Sequence, residues 1–199
     1  MNTISNALFW ISNGLLVPVI VLLLLFLARA LVLVGRFFGE YSRRYKLQKR
    51  FTSFLEGDPA ARETGLAELT KGPGAEKVPL LHAAGQLMEH RGETAWCERL
   101  LANYEVDAQR ELGHSRTLAK IGPMLGLMGT LIPMGPALVG LAAGDLASMA
   151  YNMQVAFATT VVGLLVAGIG VVTLQAKQRW YARELNDLEY LSQILKDEK

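Results

Sequence analysis

Charge is missing from long parts of this 199-residue chain. Met1 to Ala28 hold no charged side chain, and between Lys120 and Lys177 the only one is Asp145. Cysteine is nearly absent too. A single residue, Cys97, excludes a disulfide scaffold and a cysteine-based zinc site. The three histidines, His82, His90 and His114, have no metal-ligand spacing and read as solvated or capping residues. A formal net charge of only +2 gives no sign of a nucleic-acid binder. What is abundant is apolar side chain, 51% of residues against 19% charged, which excludes a disordered tail. A soluble domain interleaves the two kinds at helix or strand period. Here they are segregated into blocks, as in a protein that lives in two solvents.

Three stretches are long enough to span a bilayer. A helix rises about 1.5 Å per residue, so about 20 apolar residues cross about 30 Å of hydrocarbon. The first candidate runs from about Leu8 to Val34, with an entirely apolar centre from Val17 to Leu27. A cleaved signal peptide would need a positive n-region and a shorter apolar core. No positive charge precedes Arg29, and the run is too long. The second candidate is about Ile121 to Leu141 and the third about Asn152 to Ala176, joined by the short connection around Asp145, which forces an antiparallel hairpin. The expected domain layout is therefore a first span in 1–35, a helical cytoplasmic region in 36–120, a two-span hairpin in 121–176 and a helical cytoplasmic tail in 177–199.

Orientation follows from the basic residues. All 20 Lys and Arg fall in 29–120 or 177–199, and Arg36, Arg43, Arg44, Lys46, Lys49 and Arg50 crowd just after the first span. The positive-inside rule then places the N-terminus and the Asp145 turn outside, with the large loop and the C-terminus in the cytoplasm. Cys97 is expected in a reducing compartment as an ordinary thiol.

The loop reads as helical. Asp58 and Pro59 form a start signal, Lys71-Gly72-Pro73-Gly74 a break, and Val78-Pro79 a second start running to about Glu89. From Glu93 a long helix should run straight into span two, with Leu100, Leu101, Tyr104, Val106 and Leu112 on its apolar side. Span three should continue through the tail, where Leu185, Leu188, Leu191 and Leu195 form a packing stripe. Trp180 and Tyr181 sit where an interfacial aromatic belt is expected.

Spans two and three carry matching stripes of small residues: Gly126, Thr130, Pro133, Ala137, Gly140 and Ala156, Thr160, Gly163, Ala167, Gly170. Small faces let membrane helices approach closely. Pro133 and Pro136 remove hydrogen bonds inside span two, and Pro18 is a milder kink candidate in span one. Neither span two nor span three contains Asp, Glu, His, Lys or Arg. Intramembrane ionisable groups mark proton relays, so a chain of this kind that moves protons needs the titrating carboxylate from a partner.

The segment Gly122-Pro123-Met124-Leu125-Gly126-Leu127-Met128-Gly129-Thr130-Leu131, followed by Val155-Ala156-Phe157-Ala158-Thr159-Thr160-Val161-Val162-Gly163-Leu164, resembles the MotA/TolQ/ExbB proton-channel family. The first segment matches the family's G/A-P-x-x-G-L-x-G-T motif and the second its A-x-x-x-T-x-x-G-L motif. Three spans resemble TolQ and ExbB, while the Thr159-Thr160 pair looks like MotA. The resemblance implies an all-α membrane protein of a prokaryotic plasma (inner) membrane, not an enzyme. It implies a pentamer around a pore holding single-span ExbD-, TolR- or MotB-like partners whose aspartate titrates. No cofactor is implied.

Thr130 and Thr160 match the family's pore-lining threonines, with Thr159 grouped beside them. Pro123, Gly126, Gly129, Pro133, Pro136, Gly163 and Ala167 take packing and kink roles. The chain departs from the pattern at Val155, where ExbB- and TolQ-like members often carry Glu, and at Pro133 and Pro136. These departures leave open sodium rather than protons as the ion. The alternative function is a membrane scaffold that keeps the fold without conducting.

Overall fold

A computed structural model of the chain describes residues 2–55, 57, 59–72 and 78–197, and all regular structure among them is helical. The helices are α1 (Asn2–Gly14), α2 (Leu16–Leu55), α3 (Pro59–Lys71), α4 (Pro79–Glu89), α5 (Thr94–Ala142) and α6 (Leu146–Asp197). Three helical stretches, Asn6–Tyr41, Thr94–Ala142 and Leu146–Lys196, are long and apolar enough to cross a membrane. The protein is thus an all-α membrane protein. The two long helices expected from Glu93 and through the tail are each formed without interruption. The start at Pro59 is observed, while its cap Asp58 and the break residues Pro73 and Gly74 lie outside the described residues.

Two features of the first span have local causes. The first span is not one helix but breaks at Leu15. Pro18 has no N–H, so the carbonyl one turn before it loses its donor. Leu15 N lies 3.1 Å from both the Ile11 and Ser12 carbonyls, and the ladder resumes with Val19 N to Leu15 O at 3.0 Å. Beyond the span expected to end near Val34 the helix runs on as α2 to Leu55, with no proline between Arg36 and Leu55 to end it.

The chain divides into two compact units, Met1–Arg36 with His114–Leu174, and Phe37–Gly113 with Gln175–Lys199. In the first, α5 and α6 form an antiparallel hairpin. Its turn is a Schellman motif: Asp145 N donates to Gly140 O at 2.9 Å and Gly144 N to Leu141 O at 3.1 Å, with Gly144 at φ +74°. Asp145 then caps α6 by accepting from Ser148 N at 3.0 Å. The one charge in the apolar region is therefore a cap. Against the hairpin lies α2, whose Val19 and Leu23 pack with Leu125 and Ile132, and whose Ala30 packs with Leu118 and Val166. Large apolar side chains such as Leu24, Leu127, Leu131, Phe157 and Leu164 remain exposed, as suits lipid or protein neighbours rather than water.

The second unit buries Phe51 and Leu55 of α2, Leu66 of α3, Leu80, Leu81 and Leu87 of α4, Leu112 of α5, and Leu188, Leu191 and Leu195 of α6. Three leucines of the tail stripe are thereby buried, while the fourth, Leu185, is half-buried. Two sequence expectations are corrected here. Val106 is 66% exposed. It lies two residues past the buried Tyr104, about 200° round the helix, so it cannot share that face. Tyr181 is buried rather than part of an outward belt, because its hydroxyl is drawn to Arg44.

Candidate functional site

The seam between α5 and α6 in the first unit is closer than side chains normally permit. A Cβ on Gly163 would fall 2.7 Å from Gly126 Cα and 2.8 Å from the Gly122 carbonyl oxygen. One on Gly170 would fall 2.4 Å from Ala119 N. These are backbone atoms, which cannot swing aside, so glycine is required for the approach. Gly122, Gly126, Gly129, Pro133, Ala137 and Gly140 of α5 are buried along this side, as are Ala156, Thr159, Gly163, Ala167 and Gly170 of α6. Pro123 is exposed and Pro136 half-buried. Near one end, Thr173 Oγ1 sits 2.7 Å from the Ile169 carbonyl and 3.2 Å from Ser115 Oγ, a buried polar pair satisfied within the hairpin.

The three threonines divide in two ways. Thr159 is only 6% exposed, and its hydroxyl lies 2.9 Å from Ala156 O and 3.1 Å from Val155 O. Thr130 and Thr160 are half-buried and bond back to carbonyls of their own helices, Leu127 O at 2.7 Å and Ala156 O at 3.1 Å. Each of these two follows a seam residue, Gly129 or Thr159, by one position and is turned about 100° from it. In an antiparallel pair, a one-residue advance on each helix rotates both side chains toward the same flank. Gly129 faces Thr159, and Gly126 faces Gly163. Thr130 and Thr160 therefore stand on one flank of the hairpin, within a helical turn of each other in depth.

Prolines add acceptors at this level. Pro133 and Pro136 lie inside α5 and have no N–H, so the Gly129 and Ile132 carbonyls lack the usual donor four residues on. The apolar hairpin thus carries the Thr130, Thr159 and Thr160 hydroxyls and two carbonyls without their helical donor at mid-span, with no Asp, Glu, His, Lys or Arg between 121 and 144 or between 146 and 176.

The second unit contains a polar cluster that sequence reasoning did not single out. Arg44 Nη1 donates to Glu184 Oε1 at 2.9 Å and to Oε2 at 3.0 Å, and Nη2 donates to the Tyr181 hydroxyl at 3.1 Å. The Tyr104 hydroxyl donates to Glu184 Oε2. Lys177 Nζ lies 2.8 Å from Glu111 Oε1. It is also 3.5 Å from Glu40 Oε2, a buried oxygen with no hydrogen bond of its own, so that contact is Coulombic.

Burial opposes the Arg44 charge, but Glu184 and then Tyr181 outweigh it and hold the guanidinium above its ordinary value. Burial first, and Glu184 second, push the Tyr104 phenol far above the tyrosine range. Burial also raises Tyr181, against the pull of Arg44. The available signal was two tyrosines on otherwise apolar helix faces, since a buried phenol needs a partner. Arg44 was hidden among the basic residues that set orientation. Of the histidines, His90 stacks on Trp96 with centroids 3.8 Å apart, while His82 and His114 are exposed.

Comparison with protein families gives a match to the MotA/TolQ/ExbB proton channel family over residues 82–190. This stretch includes both spans of the hairpin and all three threonines. No curated protein matches the chain.

Proposed function

Since the chain belongs to the MotA/TolQ/ExbB proton channel family, we propose that it forms the wall of an ion path in a stator-type complex that converts proton-motive force into mechanical work across the cell envelope. Several copies, a pentamer by resemblance, surround single-span helices of an ExbD-, TolR- or MotB-like partner in a prokaryotic inner membrane. The N-terminus faces outside and the charged unit faces the cytoplasm. The partner contributes the intramembrane aspartate that spans two and three lack.

The observation that carries this reading is the convergence of Thr130 and Thr160 on one flank of a hairpin whose one charge is the capping Asp145 of its turn. A carboxylate held in apolar surroundings resists ionising. A hydroxyl that rotates can donate to it when charged and accept from it when protonated, so two hydroxyls at one depth lower the cost of either state. Neutralisation by a proton lets the aspartate leave the hydroxyls and pass the apolar wall. Ionisation draws it back. The under-bonded carbonyls of Gly129 and Ile132 can hold water at the same level. Thr159, enclosed in the seam, is not assigned to this path.

Replacing the hydroxyls tests the reading. Thr160→Val and Thr130→Val keep side-chain shape and remove the hydroxyl. Each is expected to abolish ion-driven activity while the complex with its partner still purifies intact, and Thr160→Ser should retain activity. Wild-type activity in both valine variants would show that the hydroxyls do not serve the path. The partner itself is tested by identifying what co-purifies in mild detergent, where a chain with one span and an intramembrane Asp is expected.

A further inference from the structure

We propose that Thr159 is a positioning residue: it seats in a notch left by Gly129 and fixes the rotation of α6 on α5 that turns Thr130 and Thr160 to the same flank. The proposal rests on the ion-path reading for its functional consequence, though the notch itself is a feature of the hairpin.

A Cβ built on Gly129 would lie 2.5 Å from both Cβ and Oγ1 of Thr159 and 3.1 Å from its Cγ2. The threonine side chain therefore occupies the space a side chain at 129 would need. Elsewhere along the seam the glycines meet mainly backbone. Gly122 faces Gly163 O and Ala167 N, Gly163 faces Gly126 Cα, and Gly170 faces Ala119 N. Backbone against backbone gives closeness without a peg to resist sliding or rotation. Thr159 is suited to be that peg. It is β-branched, which leaves its χ1 stiff, and its hydroxyl is tied to carbonyls of its own helix. A slip of one residue would turn Thr159 out of the seam and Thr160 into it, because each residue advances the face by about 100°. The side chain thus acts through its shape, in contrast to the hydroxyl chemistry proposed for its neighbour.

The full chain with its partner, expressed in its own host, provides the test. Ion-driven activity is read as the fall in cytoplasmic pH on a pH-sensitive fluorescent protein, and stability as thermal unfolding of the purified complex in mild detergent. Thr159→Val keeps the peg's shape and should retain both activity and melting temperature. Gly129→Ala should lower the melting temperature and reduce activity by about a hundredfold, as expected when reacting groups are misplaced by an ångström. The double variant Gly129→Ala with Thr159→Gly removes both the Cβ and the Oγ1 that lie 2.5 Å from where the new methyl sits, and should recover most of both losses.

Loss of activity in Thr159→Val at an unchanged melting temperature would overturn the proposal in favour of a hydroxyl role. Gly129→Ala behaving as wild type, or a double variant no better than Gly129→Ala, would overturn the notch. These outcomes are separate from failure of the ion-path reading, which shows as wild-type activity in both Thr160→Val and Thr130→Val whatever the stability measurements give.

Discussion

At the scale of single residues, the chemistry of this chain depends on where each hydroxyl is pointed. Thr159 and Thr160 are adjacent in sequence, yet one is enclosed and the other half-exposed, because neighbouring side chains on a helix diverge by about 100°. Tyr104 shows a different use of a hydroxyl. Its folded-state pKa is raised by burial and by Glu184, so the folded protein keeps a proton that the unfolded chain gives up near pH 10. The associated stability is fully present below about pH 10 and is lost as pH rises beyond it. Cys97, also raised by burial, adds a loss of the same sign from about pH 8.5 upward. The thermal unfolding temperature should therefore fall in alkali. Tyr104→Phe should flatten the upper part of that fall while costing about 1.5–3 kcal/mol near neutrality, the worth of a hydrogen bond to a charged group. An alkaline slope unchanged in Tyr104→Phe would remove the phenol from the account.

At the scale of helices, contacts between elements are carried by a few positions whose neighbours cannot yield. Gly163 and Gly168 lie five residues apart on α6 in similar sequence, and only their surroundings differ. A methyl at 163 meets Gly126 Cα and the Gly122 carbonyl, whereas at 168 nothing lies within 4 Å. Gly163→Ala should destabilise by about 1–3 kcal/mol through overpacking. Gly168→Ala should be neutral or stabilising by up to about 1 kcal/mol, since alanine is the better helix former. Melting temperatures of the two variants, measured side by side, check the difference. In the second unit Arg44 of α2, Tyr104 of α5 and Glu184 of α6 tie three helices through one carboxylate whose side chain is 4% exposed. Glu184→Met should cost about 3–5 kcal/mol by stranding a buried guanidinium. Arg44→Met in the same chain should return a large part of that loss, and purely additive costs would show the pair to be independent.

At the scale of the whole molecule, the segregation of charge is the dominant fact. With every Lys and Arg in 29–120 or 177–199, the proposed orientation predicts that a cysteine at exposed Ala143 is labelled by an impermeant maleimide on intact cells. One at exposed Asn186 should be labelled only after permeabilisation, with Cys97 replaced by Ser in both. The reverse pattern would invert the topology. The sequence by itself determined the helical class, the three membrane-capable stretches, the two long helices running out of the hairpin, the tail stripe from Leu185 to Leu195 of which Leu188, Leu191 and Leu195 are buried, and the family. These follow from hydrophobic run length, periodicity and local motifs, which are properties of consecutive residues. Only the tertiary structure decided which small residues form the seam, that Gly129 and Thr159 rather than Thr130 and Thr160 meet there, and that Arg44 and Tyr181 turn inward to each other. A stripe of spacing three and four is broad enough to admit either of two adjacent positions. Packing against a second helix selects between them, and a partner more than a hundred residues away in the chain leaves no mark in the local pattern.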